Sequence, residues 1–351
     1  MTAKAYDVVV IGLGPAGASA ATECARRGLR VMAVDRRRAA GVPVQCAEFV
    51  PALITSEPGA LAASVRQPIR AMITTIEQGV PRSNDDFSGH IIDRAAFDAE
   101  LVATATRAGA CCNFGAAVRS ILRTGHVLLG DGRQLAAPVI IGADGPRSLA
   151  GRRIGQVNRE RLETRQVTVP LLARHLATDI FLSADIPGGY GWLFPKGEVA
   201  HVGAGVDPAH KASLKRIVSK IHVALVEDGR VGANVLALTG GAIPAGGLLN
   251  PWGTAGGSLV LLAGDAAGLT NPVTGAGIAA AVASGTLAGA AAAAWIAGDR
   301  GAGNAYEDEL RELFQPALDR ALARRRERAS RAQPDAAVMR RGWIAYPEYW
   351  T

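Results

Sequence analysis

Two glycine-rich turns at opposite ends of the chain carry the residue types and spacing that bind anionic groups. Gly12-Leu13-Gly14-Pro15-Ala16-Gly17 follows the apolar run Asp7–Ile11 and opens the Ala-rich stretch Ala18–Arg27. Gly28 stands where a helix would end, and a second apolar run, Leu29–Val34, finishes in Asp35. A G-x-G-x-x-G turn between strand and helix, with an acid about 20 residues further on, is a dinucleotide fingerprint. The glycines permit the tight turn and the approach of backbone to a pyrophosphate, and the acid accepts hydrogen bonds from a ribose diol. Arg36, Arg37 and Arg38 read either as contacts to a 2′-phosphate or as a solvated basic turn beside the pyrophosphate. The second turn lies in residues 263–285, AGDAAGLTNPVTGAGIAAAVASG, where the apolar run Leu259–Ala263 breaks at Gly-Asp before a small-residue helix. A helix start offers unpaired N–H groups and partial positive charge to an electron-rich ligand. A cofactor touched from both ends of a chain is the habit of FAD enzymes more than of NAD dehydrogenases.

Other candidates are scattered. Cys46 sits in the loop Val42–Glu48, either as an ordinary buried thiol or as a reactive one. Tyr190, Trp192 and Phe194 alternate and so share one strand face. That face reads either as hydrophobic core or as the wall of an apolar cavity beside a cofactor. Arg94 reads as a surface helix residue or as a cofactor contact. His90, His175, His201 and His210 lack metal-ligand spacing, and no metal site is expected.

The elements that must position these groups follow from local pattern. Asp93 can cap a helix whose apolar stripe is Phe97, Leu101 and Val102. Strands are expected at Arg70–Glu77, at Phe114–Leu122 paired with His126–Leu129, and at Ala137–Ile141, which runs into Gly142-Ala143-Asp144-Gly145-Pro146-Arg147-Ser148. Gln166–Leu172, Ile180–Ser183, Gly191–Phe194 and Ala200–Val206 suggest one antiparallel sheet, followed by a helix at Lys211–Glu227. Beyond Tyr306 an amphipathic helix ends in Arg324-Arg325-Arg326-Glu327-Arg328, and aromatics gather between Trp343 and Trp350. The expected architecture is α/β. A discontinuous Rossmann-like FAD-binding domain (1–165 and 246–300) carries an inserted, mostly antiparallel sheet domain (166–245) to which 63–92 contribute. A helical tail (301–351) follows.

The 351 residues are 49% hydrophobic and 5% aromatic and include 42 glycines, which suits closely packed helices on a parallel sheet. The net charge of +7 permits attraction to lipid headgroups or to an acidic redox partner. No aromatic-interleaved basic stripe points to nucleic acid. Cys24, Cys46, Cys111 and Cys112 show no C-x-x-C spacing, which fits a reducing cytosol. Gly275–Gly298 carries no charge over a length that would span a bilayer, but its Ala/Gly composition and its place after the GDAAG turn favour a packed helix.

Four motifs in order resemble the geranylgeranyl reductase family of FAD-dependent proteins, within the wider class of aromatic-hydroxylase-like flavoproteins. They are GxGPAG with Asp35, PVQCAE at 43–48, PGGYGWLFPKG at 187–197 and GDAAGLTNPVTGAGI at 264–278; GADGPRS at 142–148 is similar to a second FAD motif of the wider class. The resemblance implies that Gly12, Gly14, Ala16 and Gly17 border the pyrophosphate and that Asp35 and Arg36 lie at the adenosine ribose. It puts Val118 by the adenine and Cys46 and Ala47 along the cofactor near the flavin. Arg94, Asp144, Asp265, Pro272 and Gly275 complete the implied cradle, and the amides of Gly277 and Ile278 face the flavin pyrimidine. Three positions depart from the family: Asp35 replaces the more usual Glu, Ala276 stands where Glu is typical, and Glu48-Phe49 follows the cysteine where Gly is common.

The resemblance implies an FAD-dependent oxidoreductase that reduces C=C bonds of a prenyl or other apolar substrate, with Cys46, Tyr190 and Trp192 as catalytic candidates. Either NADPH or a redox protein would supply electrons. The expected location is cytoplasmic, with peripheral contact to the inner membrane face through the C-terminal arginines as a further option. Two alternatives share the motifs: a flavin-dependent monooxygenase acting on an aromatic or peptide side chain, and a flavin electron-transfer protein.

Overall fold

The computed structural model describes residues 4–51, 58–331 and 334–351. Its centre is a six-stranded sheet in the order Trp252–Ala255, Ser258–Leu262, Val139–Gly142, Val8–Ile11, Val31–Asp35, Cys111–Phe114. All neighbours are parallel except Trp252–Ala255, which runs antiparallel to Ser258–Leu262. The central strands are apolar and almost fully buried, as a parallel sheet covered on both faces requires.

Helices Pro15–Arg26 and Ile278–Ile296 pack on this sheet and on each other. Their backbones approach so closely that a Cβ at Gly285 would fall 2.1 Å from the Ala16 carbonyl oxygen. At Gly289 it would meet the Glu23 side chain at 2.7 Å. This contact explains the Ala/Gly composition of 275–298. Ile278–Ile296 is the one described helix long and apolar enough to cross a membrane, and here its small residues serve helix–helix packing.

A second sheet, of eight strands, runs Ala237–Thr239, Arg161–Pro170, Val199–Val206, Gly191–Lys196, Ala177–Leu182, Ala71–Ile76, Arg82–Asn84, with Ala242–Pro244 also pairing Arg161–Pro170. Neighbours are antiparallel except for the parallel pair Ala71–Ile76 and Ala177–Leu182. One face is covered by helix Leu214–Glu227, through Leu214, Ile217, Val218 and Leu225. The other face carries Trp192 and Phe194, which cluster with Val273 and with Met339, Trp343 and Tyr349 of the tail.

Several boundaries differ from expectation. The run Phe114–Leu122 is two strands: Cys111–Phe114 joins the parallel sheet, and Val118–Ile121 joins a four-stranded sheet by pairing with Val127–Leu129. The break is at Gly115, whose φ of +74° turns the chain out of the first sheet. The first helix starts at Pro15, a favoured first helical position. The C-terminal helix begins at Ala302 and runs to Ala329. The tail from Ala336 to Trp350 makes one short helix and a final turn, and its aromatics enter an apolar cluster with Trp192 and Phe194.

Candidate active site

The two glycine turns meet. Gly264 is wedged between the two helix starts, and a Cβ there would lie 3.0 Å from the Ala16 Cβ and 3.2 Å from the Ala281 Cβ. Both N-termini therefore open on one side of the sheet. Neither has a side-chain cap: Gly14 and Gly277 occupy the cap positions, and no side chain accepts from the first-turn amides. Uncapped starts leave N–H groups for a ligand. A Cβ at Gly12 would fall 2.3 Å from the Ala143 carbonyl oxygen, and one at Gly17 would fall 1.8 Å from the Gly12 carbonyl oxygen. A Cβ at Gly14 would meet nothing within 4 Å. The protein's own packing thus demands Gly12 and Gly17, while the space above Gly14 stays open.

Asp35 ends its strand beside this opening. Its carboxylate accepts from the Leu13 amide at 2.8 Å and the Arg37 amide at 2.7 Å, which ties the glycine turn to the second strand. A carboxylate has about four acceptor positions, so capacity for a diol remains. Arg36 is exposed next to it, and Val118 is half-buried in the neighbouring sheet. Asp265 lies beneath the second helix start: its Oδ1 accepts from the Thr270 hydroxyl at 2.6 Å and sits 3.4 Å from where a Gly277 Cβ would be. Burial raises the Asp265 carboxyl above its ordinary range, with the Thr270 bond and the Arg94 charge pulling the other way. Pro272 is buried, and Gly275 and Ile278 are half-buried in the same turn and helix start.

Asp144 is held by its own turn. Its side chain accepts from the Ser148 hydroxyl and the Leu149 amide, both at 2.5 Å, and from the Ala150 amide at 3.3 Å. The carboxylate receives the start of helix Leu149–Arg153. What Asp144 brings to the opening is backbone, since its Cα would lie 3.2 Å from a Gly12 Cβ.

The loop 43–48 and the aromatic strand close the other end. Arg94 forms a two-pronged pair with buried Asp98, at 3.0 and 3.1 Å, and its guanidinium reaches the Cys46 sulfur. Cys46 Sγ accepts from the Glu48 amide at 3.2 Å, and the Cys46 carbonyl accepts from Gln166 Nε2 at 3.3 Å. Ala47 packs into the apolar cluster behind.

Tyr190 and Trp192 are each fixed by one hydrogen bond. The Tyr190 hydroxyl donates to the Thr274 carbonyl at 2.6 Å, and burial raises the phenol above its ordinary value. The Trp192 indole N–H donates to Gln166 Oε1 at 3.0 Å. The two rings lie tilted by 58° with centroids 5.7 Å apart, and the Trp343 ring of the tail lies tilted by 58° against Tyr190 at 4.7 Å.

Sequence reasoning missed the group that anchors the cysteine loop. Glu48 is 1% exposed and has a φ of +67°, the left-handed region that favours glycine. Its carboxylate accepts from Lys196 Nζ at 2.9 and 2.7 Å, from His201 Nε2 at 2.6 Å and from the Arg94 amide at 2.9 Å. Burial alone would raise this carboxyl, but the bonds from His201, the Arg94 amide and Lys196 outweigh it and hold it below its ordinary value of 4.5. The available signal was a Glu where relatives often carry Gly, together with the Lys of the FPKG run.

The C-terminal arginines are also committed. Arg324 donates to the Tyr349 carbonyl, Arg325 pairs with Asp207 and the Gly188 carbonyl, and Arg326 pairs with Glu160. Burial lowers Arg328 to about 10. These bonds brace the end of the helix against Tyr349, Asp207, Gly188 and Glu160.

With this geometry in hand, likeness to known proteins becomes informative. The family described as lycopene cyclase protein matches residues 7–160. A digeranylgeranylglycerophospholipid reductase from Methanocella arvoryzae is 31% identical over 346 residues, covering 90% of this chain and 85% of that protein. The enzyme of the same name from Methanothrix thermoacetophila is 32% identical over 346 residues, with 90% and 85% covered. The chain belongs to the digeranylgeranylglycerophospholipid reductase family. Solved structures agree on the fold. A geranylgeranyl bacteriochlorophyll reductase-like protein from Thermoplasma acidophilum superposes with a TM-score of 0.79 at 23% identity, over 93% of this chain and 88% of its own. A probable FAD-dependent monooxygenase from Pseudomonas aeruginosa superposes with a TM-score of 0.70 at 18% identity, over 93% and 97%. Membership in the reductase family makes the protein a flavin-type oxidoreductase, and the monooxygenase likeness, at such low identity, is one of fold.

Proposed function

We propose that the protein binds FAD between its two helix starts and uses it to saturate C=C bonds of an isoprenoid lipid. The observation that carries this reading is the convergence of two uncapped helix N-termini on one opening, with Asp35 at one end and Cys46 at the other. The residues fit the cofactor. The open space above Gly14 and the free amides of the first turn suit a pyrophosphate, Asp35 suits a ribose diol, Asp265 suits a hydroxyl-bearing linker, and the amides at Ile278 suit an electron-rich ring edge. Bound there, FAD would supply hydride chemistry suited to reducing an alkene.

The chain's own residues supply the rest. Cys46 is the candidate proton donor to the second alkene carbon, and the Arg94 guanidinium stabilises the thiolate left behind. The Glu48 amide and the Gln166 side chain fix the sulfur's position. Tyr190 and Trp192 would act as an apolar wall that excludes water and orients the chain. The alkene gains one hydride and one proton, and solvent restores the thiol. NADPH or a redox protein would be the source of electrons. The test is conversion of a geranylgeranyl-bearing glycerophospholipid by FAD-loaded, dithionite-reduced protein without oxygen, followed by mass spectrometry. Gain of two hydrogens per double bond is expected; product formed only in the presence of oxygen would overturn the reading in favour of a monooxygenase.

A further inference from the structure

One edge of the eight-stranded sheet is apolar and bare. Strand Ala237–Thr239 is the terminal strand there: it pairs with Arg161–Pro170 on one side, and among the described residues no strand pairs with it on the other. Residues 233–238 are all exposed, with Val235, Leu236 and Leu238 at 48, 52 and 55%. Side chains alternate along extended chain, so Leu236 and Leu238 lie on one face and Val235 on the other, and neither face is covered. Natural sheets blunt such an edge with charge or proline, because a bare apolar edge invites association. A contiguous exposed apolar strip marks an interaction surface.

The strip continues past both ends of the strand. At one end the Leu236 amide donates to the Thr168 carbonyl and the Gly232 amide to the Pro170 carbonyl, both at 2.8 Å, which carries the edge on to exposed Leu172. At the other end the Thr239 hydroxyl donates to the Val44 carbonyl at 2.8 Å, and Gln45 Nε2 donates to the Gly240 carbonyl at 3.1 Å. Those bonds join exposed Val42 and Pro43 to the edge. The strip therefore ends in the loop that carries Cys46. Thr239 is also paired in register with Gln166, whose side chain holds the Cys46 carbonyl. The charge along this line has one sign. Residues 39–46, 165–174 and 231–240 include no Asp or Glu; their charged residues are Arg165 and Arg174, and Arg38 stands immediately before them. Arg38 and Arg174 are exposed and make no ion pair among the described residues.

We propose that this edge docks the protein on an anionic lipid bilayer, with Leu172, Val235, Leu236 and Leu238 set among the headgroups and Arg38 and Arg174 on lipid phosphates. This rests on the isoprenoid reading above, since a lipid with long isoprenoid chains resides in a membrane, and the strip leads from that surface to the cysteine loop. Apolar side chains at the interface and basic residues near anionic lipid both favour such docking. At headgroup depth water still satisfies the unpaired backbone of the edge, so the strand need not enter hydrocarbon. A second copy of the chain fits less well. Strand pairing over Ala237–Thr239 would satisfy the backbone but leave the apolar side chains on both faces in water, and it gives the two arginines no partner.

The test is co-sedimentation of the FAD-loaded full chain with vesicles of phosphatidylcholine, with and without phosphatidylglycerol, at low salt. Wild type should bind the anionic vesicles about tenfold or more tighter than the neutral ones, since each arginine near an anionic surface is worth about fivefold. Arg38→Gln/Arg174→Gln should remove most of that preference. Leu236→Thr/Leu238→Thr should weaken binding to anionic vesicles about tenfold, as loss of two half-buried leucines implies. Val80→Thr, exposed in the turn before Arg82–Asn84 at the opposite edge of the sheet, should bind as wild type. Turnover of vesicle-borne geranylgeranyl lipid should fall with binding in the leucine variant, while turnover of soluble geranylgeranyl diphosphate stays unchanged. No binding by wild type, binding of the leucine variant within about twofold of wild type, or equal weakening by Val80→Thr overturns the proposal. Wild type that ignores vesicles but self-associates in light scattering, and dissociates in the leucine variant, assigns the edge to a second copy instead. If the double leucine variant loses its flavin, Leu172→Thr decides, at the end of the strip far from the cysteine loop: about threefold weaker binding is expected, and unchanged binding overturns the proposal equally. Vesicle binding that follows this pattern without reduction of any isoprenoid sinks the reductase reading and leaves the docking surface standing.

Discussion

Replacing Glu48 with Gln removes a negative charge from a site where it is the shared acceptor of Lys196, His201 and the Arg94 amide. The amide keeps the shape and can still accept from Arg94, so the loss is electrostatic. Removing one partner of a buried pair costs roughly 3–5 kcal/mol, because the other charge stays buried and unpaired. Lys196 is 20% exposed and can partly rehydrate, which argues for about 3 kcal/mol, the low end of that range. At about 2.1 cal/mol/K of unfolding entropy per residue, the 351-residue chain should then melt roughly 4 °C lower. Glu48→Gly sharpens the reasoning by reversing one sign. Glycine relieves a left-handed backbone worth about 1 kcal/mol, so the substitution would stabilise if the backbone were all that mattered. The network predicts net destabilisation by about 2 kcal/mol or more, the difference between those two effects. The pH dependence follows from the lowered carboxyl. A group whose folded value lies below its unfolded value of 4.5 contributes fully above 4.5, and its contribution is lost as pH falls through the folded value. The stability gap between wild type and Glu48→Gln should therefore be constant near neutrality and close below pH 4.5. Thermal denaturation from neutral to acid pH measures it. Equal melting temperatures at pH 7, or a Glu48→Gly protein more stable than wild type, would refute the reasoning.

Further outcomes are expected elsewhere in the site. Tyr190→Phe removes one neutral hydrogen bond, worth about 1 kcal/mol, and should leave turnover within roughly fivefold while shifting the flavin spectrum; abolished turnover would restore Tyr190 as the proton donor. Asp35→Ala should weaken FAD binding about tenfold to a hundredfold in a fluorescence titration, as loss of charge-assisted hydrogen bonds of about 1.5–3 kcal/mol implies. Gly285→Ala sets a Cβ 2.1 Å from the Ala16 carbonyl oxygen and should lower the melting temperature and the retained flavin together, whereas an unperturbed protein would mean that the helices can slide apart freely.

Much of the cofactor cradle was legible because it is local. Gly12–Gly17, its flanking strand and helix, and Asp35 are contiguous, and the GDAAG turn announces its own helix start. What escaped depends on contacts between distant segments. Glu48 acquires its role only when Lys196 and His201, two neighbouring strands away, fold over the cysteine loop. Asp144 has the right position for a cofactor contact, but its carboxylate is captured by the Ser148 turn, a geometry that spacing alone does not distinguish. The Phe114–Leu122 run reads as one strand because its pattern is continuous, and only the left-handed Gly115 sends its halves to different sheets. The tail's aromatics were visible as a cluster of residues, but nothing in their spacing says that Trp343 would face Tyr190. The aromatic alternation of Tyr190, Trp192 and Phe194 correctly marks one face; what covers it is a property of the tertiary fold.

The most direct test of the account is a single-turnover experiment. FAD-loaded protein is reduced anaerobically and mixed with a geranylgeranyl lipid, and return of the oxidised flavin absorbance is followed alongside product mass. The account predicts reoxidation that depends on lipid concentration, matched by saturation of one double bond per flavin, and slowed in Cys46→Ala. Flavin that stays reduced with lipid present and reoxidises only when oxygen is admitted would contradict it.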